Sequence, residues 1–183
     1  RTDMEETNAL GSLPQDSKDV SDERDAQKGK YMTFKSGNEH YGLKIQYVNE
    51  IIGFQAITAI PETEHYIKGL INLRGKIIPV IDVRLRFGQE PFEYNDRTCI
   101  IVISVKSTVV GLIVEKIAEV VEIKEENILP PPSIVRADKV QNKYVYGIGK
   151  VGGSVKLLLD PDKLLNDTDM SMVEQANDMG VEE

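Results

Sequence analysis

Between residues 76 and 123 the chain repeats one pattern four times: Lys76 to Val83, Thr98 to Val105, Thr108 to Val114 and Ile117 to Ile123 are short runs dense in Val and Ile, broken by Gly, Asn, Asp or Lys-Ser. Such β-branched residues suit a pleated, half-buried surface, and runs bounded by turn residues read as strands. Parallel strands would need long crossovers between them, usually helices. These spacings leave room mostly for turns. The pattern therefore predicts a mainly β protein built from small closed barrels rather than an open parallel sheet.

The flanking segments carry the same signals with a few helices. Tyr31, Thr33 and Lys35 alternate with Met32, Phe34 and Ser36, and Gly37-Asn38 supplies a turn before Tyr41, which reads as a hairpin. Leu43, Tyr47, Val48 and Ile51 recur at three-to-four-residue spacing and predict a short helix near residues 44–50, ahead of the strand-like Ile51-Ile52-Gly53-Phe54. Gly152-Gly153-Ser154 joins Tyr144 to Val151 and Val155 to Leu159 as a late hairpin, because Gly supplies the positive φ of a tight turn. Asp160 offers an N-cap with Pro161 at the first helical position, and Asp167 or Thr168 caps a further amphipathic helix through Met172, Val173 and Ala176.

Composition narrows the classes of function. The chain has 183 residues, 40% of them hydrophobic, enough for one domain with a substantial core. Residues 1–29 mix Asp, Glu, Ser, Gln and Lys with few large apolar side chains, so they are expected to form a disordered acidic tail. The patterned, strand-rich domain occupies 30–166, with a helix and tail over 167–183. A net charge of −8 argues against a nucleic-acid partner, since phosphate binding rests on clustered Lys and Arg. Cys99 is the single cysteine, which excludes an internal disulfide and fits a reducing cytoplasm. No run of about 18 apolar residues is present, and the opening residues lack a signal-peptide core, so no direct membrane insertion is expected.

A search for chemistry finds no constellation. His40 and His65 sit in no metal-ligand spacing and read as solvated side chains. Cys99 opens a β run, where a small buried thiol is ordinary. Neither glycine-rich phosphate motif occurs, and Glu115, Glu119, Glu125 and Glu126 read as solvated edge or loop charges. The expectation is a binding protein with no enzymatic activity and no cofactor. A small β-barrel enzyme is the rival from another class.

One segment stands apart. In Gly69-Leu70-Ile71-Asn72-Leu73-Arg74-Gly75-Lys76 an apolar run is interrupted by Asn-Leu-Arg-Gly, a turn that pushes Arg74 out of a β framework. Rigid scaffolds present binding residues on such loops, and the planar guanidinium can hold a carboxylate or backbone carbonyls. On physics alone a plain hairpin turn with a solvated Arg is the favoured explanation of the segment.

Several segments, in order, resemble the CheW family of chemotaxis coupling proteins. Tyr41-Gly42-Leu43-Lys44-Ile45 with Val48-Asn49-Glu50-Ile51, then Ile67 to Gly75 with its Asn-Leu-Arg-Gly, then Ile78-Pro79-Val80-Ile81-Asp82-Val83-Arg84 follow the family's pattern. Val110 to Glu115 and Leu157 to Leu165 continue it, so the likeness covers residues 31–165. The resemblance implies two small SH3-like five-stranded β-barrels packed together, and a non-enzymatic scaffold that bridges the cytoplasmic tip of chemoreceptors to the regulatory domain of the histidine kinase CheA. It implies a cytoplasmic protein recruited to membrane-associated receptor arrays. The same fold serving a non-motility chemosensory pathway is the nearest alternative. Val48, Glu50, Gly69 and Arg74 match positions that the resemblance implicates in receptor or kinase binding, and Asn72 and Gly75 complete the turn.

Overall fold

The computed structural model describes residues 26–131 and 143–179. Among these residues eleven strands form two sheets: β1 (Lys30–Ser36), β2 (Glu39–Lys44), β3 (Val48–Gly53), β4 (Ile67–Leu73), β5 (Lys76–Asp82), β6 (Cys99–Val105), β7 (Thr108–Val114), β8 (Lys116–Glu122), β9 (Ile128–Leu129), β10 (Val145–Val151) and β11 (Ser154–Leu159). The strands runs read from Val and Ile content are all present, and the protein is mainly β as expected. One sheet has the order β8-β1-β2-β11-β10-β9 and the other β3-β6-β7-β5-β4. The first counts six strands rather than five because two-residue β9 pairs with β10 through Ile128 and Leu129.

The chain does not build these sheets one after the other. It lays down β1 and β2, leaves to make all of the five-stranded sheet, and returns at β8 to finish the six-stranded one. β11 closes that circuit by pairing in parallel with β2, Leu157 against Tyr41 and Leu158 against Gly42. Among the described residues, helices α1 (Val83–Arg86), α2 (Pro161–Leu164) and α3 (Asp167–Asp178) accompany the sheets. α3 follows the last strand of the six-stranded sheet yet packs on β5 and β7 of the other.

The largest core lies between the sheets. Phe34, Tyr41, Phe87 and Tyr144 run through it as a file of aromatic rings with successive centroids 5.7, 4.9 and 5.6 Å apart. Tyr41 and Phe34 are wholly buried, as are Leu112, Ile101 and Val173 around them. Each such side chain contributes roughly 1.5–3 kcal/mol on leaving water. Two smaller cores fill the sheets themselves: Ile71, Ile78, Val80, Ile100, Val102 and Ile113 in one, and Tyr31, Val121, Ile123 and Leu158 in the other.

Two sequence expectations need correction here. The helix near 44–50 is only a 3-10 turn over Ile45–Tyr47, and Val48 and Glu50 belong to strand β3. β3 carries a bulge between Val48 and Glu50, so its apolar residues fall out of period two and imitate helical spacing. The N-cap of α3 is Asn166, not Asp167 or Thr168: its side chain accepts the Asp169 N–H at 2.8 Å, and the Asp169 carboxylate accepts the Asn166 N–H at 3.1 Å. This reciprocal capping box fixes the helix start. Asp160 and Pro161 occupy the cap and first position of α2 as expected. The 1–25 part of the acidic tail and residues 180–183 lie outside the described residues.

Candidate functional site

Leu73 pairs with Lys76, so Arg74 and Gly75 alone make the turn between β4 and β5. Both have positive φ, +52° at Arg74 and +86° at Gly75. A two-residue hairpin of this hand matches the twist of its strands and is ordinarily filled by Asn-Gly or Gly-Gly. An Arg in the left-handed region costs about 1 kcal/mol through the clash of its Cβ with backbone. Asn72 stabilises the turn from below, its Oδ1 accepting the Gly75 N–H at 2.8 Å.

The Arg74 side chain stands 71% exposed and reaches across to β3, where its Nη2 donates to Glu50 Oε1 at 2.5 Å. β3 and β4 are the two edges of the five-stranded sheet. The ion pair therefore spans the seam where that sheet curls round to meet itself. Asn49, Glu50, Leu73, Arg74, Lys76, Ile78, Val102 and Val109 line a shallow recess of about 440 Å³ at this end. Beside Glu50, the bulged Asn49 is held by Ser104, donating to its Oγ at 2.8 Å and accepting from it at 3.0 Å. The recess offers a cation, an anion and amides on rigid backbone, a surface suited to polar recognition.

The six residues singled out in the sequence divide into three groups. Glu50, Asn72, Arg74 and Gly75 come together at the seam. Val48 lies two residues from Glu50 but is half-buried against the main core. Gly69 is near the opposite end of β4, where it lets another segment approach. Thr58 and Leu70 exchange two backbone hydrogen bonds of 2.9 and 2.8 Å, and a Cβ on Gly69 would lie 2.1 Å from the Thr58 carbonyl oxygen. Its φ of +145° adds a second reason for glycine.

Sequence reasoning missed the polar joint behind β5. Asp82, 1% exposed, accepts the Leu85 N–H at the start of α1 and the Tyr94 hydroxyl at 2.6 Å. Burial, followed by that hydrogen bond, raises the Tyr94 pKa. Arg84 donates through Nε to the Glu90 carbonyl at 2.7 Å and forms an ion pair with Glu115. Glu115 also accepts the Gly37 N–H of the β1–β2 turn at 3.2 Å. Glu115 is thus no solvated edge charge; it ties the two sheets together. His40 likewise is half-buried rather than solvated, while His65 is exposed as expected. Cys99 is half-buried, with its thiol pKa raised by burial. Among the described residues no group of three or more His, Cys, Asp or Glu could hold a metal.

Fold and turn define a class: a rigid, mainly β module of two interlocked sheets that displays a charged turn at the seam of one of them. Comparison with known proteins makes the class specific. Residues 30–169 match the model of the CheW-like domain, and the chain belongs to that family. It is 37% identical over 146 residues to the chemotaxis protein CheW of Klebsiella aerogenes, covering 80% of this chain and 87% of that one. The chemotaxis protein CheW of Treponema pallidum is 30% identical over 143 residues, covering 76% and 83%. Among solved structures, the scaffolding protein TtCheW of Thermoanaerobacter tengcongensis superposes with a TM-score of 0.71 at 38% identity, covering 78% of this chain and 97% of that one.

Proposed function

We propose that this protein is a non-enzymatic coupling scaffold of bacterial chemotaxis, which joins the cytoplasmic tip of chemoreceptors to the regulatory domain of the histidine kinase CheA. The observation that carries this reading is Arg74. A residue held in an unfavourable backbone conformation, largely exposed, and presented on a turn where Asn or Gly would be cheaper is better explained by what it touches outside the chain than by the fold. Membership of the CheW-like family supplies the partner class.

In this reading the seam of the five-stranded sheet is a docking surface. Arg74 and Glu50 fix register and specificity, Asn72 and Gly75 hold the turn, and Val48 and Gly69 keep β3 and β4 in place behind it. The scaffold passes signal by holding receptor and kinase in one geometry, so that differential receptor contacts bias the kinase between states. Individually weak contacts suffice when many are linked in an array. The working location is the membrane-associated receptor array, reached through the receptors.

The test is an NMR titration of the labelled protein with a CheA regulatory domain and, separately, a receptor-tip fragment from the same organism. Two distinct patches of shifts, one including Arg74, are expected, and Arg74→Glu should abolish that patch while the remaining spectrum is kept. No response of the wild-type protein to either partner, or full binding by Arg74→Glu to both, would overturn the proposal.

A further inference from the structure

The six-stranded sheet carries a feature that the coupling role does not use. Lys116 pairs with Lys35, Lys35 pairs with His40, and the parallel register of β11 against β2 brings Lys156 alongside His40. Residues directly opposite in neighbouring strands point to the same face. Three lysines and a histidine thus form one continuous row across β8, β1, β2 and β11, about 14 Å long at the usual interstrand spacing. Like charges placed opposite each other destabilise a sheet, and here the row recurs in a chain whose net charge is −8.

Two members of the row are short of partners. Lys156 is only 6% exposed. Among the described residues two ion pairs form, Arg74 with Glu50 and Arg84 with Glu115, and neither includes a residue of the row. The Nδ1 atom of His40 is buried and has no hydrogen-bond partner. Buried polar groups are normally satisfied, and like charges held side by side without ion-pair partners repel one another. Lys35 and Lys116 are the exposed members of the row, and Glu119 is an acidic side chain of the chain itself that acts on His40.

We propose that the row Lys116–Lys35–His40–Lys156 is a docking site for an extended acidic protein segment, with one carboxylate reaching Lys156 and His40 and its neighbours meeting Lys35 and Lys116. The linear arrangement fits several charges strung along a strand better than one compact oxyanion. With the Lys156 side chain largely covered, a single Asp or Glu of an extended segment approaches it more readily than a flat bilayer does. The row lies in the other sheet from Arg74, so this surface is separate from the proposed coupling seam, and its failure would leave that reading standing.

The test is fluorescence anisotropy of a labelled hexaglutamate peptide titrated with the full chain at low salt, repeated with inorganic phosphate as competitor at matched ionic strength. Saturable binding is expected, weakened at least tenfold by Lys156→Met and several-fold by Lys35→Gln, with phosphate leaving the peptide bound. Lys35 is exposed, so its variant keeps the test valid if Lys156→Met does not fold. No saturable binding by the wild type, displacement by phosphate, or equal affinity of the folded variants would each overturn the proposal.

Discussion

Replacing Arg74 with Asn separates what the turn does for the fold from what it does for a partner. Two terms of similar size act in opposite directions. With φ of +52°, Arg74 sits in a region that Asn tolerates much better, so the substitution recovers part of about 1 kcal/mol. It also removes an ion pair whose two side chains are 71% and 31% exposed, and exposed pairs contribute about 0.2–1 kcal/mol. The net change in stability is expected within about 1 kcal/mol of zero, with Asn-Gly an ordinary hairpin turn. Urea unfolding gives the stability, and calorimetric titration with a receptor-tip fragment and a CheA regulatory domain gives the affinities. The expected result is unchanged stability with at least one affinity lowered about tenfold or more. A loss of 2 kcal/mol or more would refute the reasoning, because Arg74 would then be a structural residue that the strain argument has misread.

Gly69→Ala should be severe, about 3–5 kcal/mol by chemical denaturation, because the new Cβ meets the Thr58 carbonyl and both Thr58–Leu70 hydrogen bonds are strained together with the backbone. A change under 1 kcal/mol would mean that the 57–58 segment yields easily. Glu115→Gln should cost about 2 kcal/mol or more by leaving the poorly exposed Arg84 without its counter-charge, and Arg84→Met with Glu115→Leu together should recover much of that loss. Tyr94→Phe leaves buried Asp82 with one donor fewer and is expected to cost about 1–3 kcal/mol in the same assay. His40 is held below the ordinary histidine pKa by burial and by Lys156, Lys35 and Lys116, with Glu119 opposing. The unfolded chain therefore binds more protons below about pH 6.5, so stability is full above that pH and falls as acid is added. His40→Gln should flatten that slope, and an unchanged slope would assign it to other groups.

The strands were legible because their signals are local. Val and Ile density marked β5, β6, β7 and β8, and Gly37-Asn38 and Gly152-Gly153 marked two hairpins, since these residues act on their own backbone. Asp160-Pro161 marked α2 for the same reason. The bulge at Asn49 hid β3, because one extra residue breaks the alternation by which a strand is recognised. Of the candidate site, the turn was legible and its partner was not: Arg74 and Glu50 are 24 residues apart and meet only because the sheet curls. Glu115 was misread for a similar reason, since nothing near it in sequence announces Arg84 or Gly37. The basic row required the registers of four strands before it existed at all.

The six-stranded sheet is split by the five-stranded one, which is continuous in the chain but takes its covering helix from beyond β11, and this has a consequence for how the molecule can come apart. The six-stranded sheet lacks β1 and β2 if the chain is cut after the 3-10 turn, and the five-stranded sheet loses its covering helix if the chain is cut after β8. Cooperative melting of both sheets in a single transition is the natural outcome, with refolding slowed by contacts that join the two ends of the sequence. The two sheets are tied at both ends of the sequence, by the run from β2 into β3 and by α3 packed on β5 and β7. A force applied at the Arg74 seam therefore has two covalent and packed routes into the other sheet, one through β2 and one through α3.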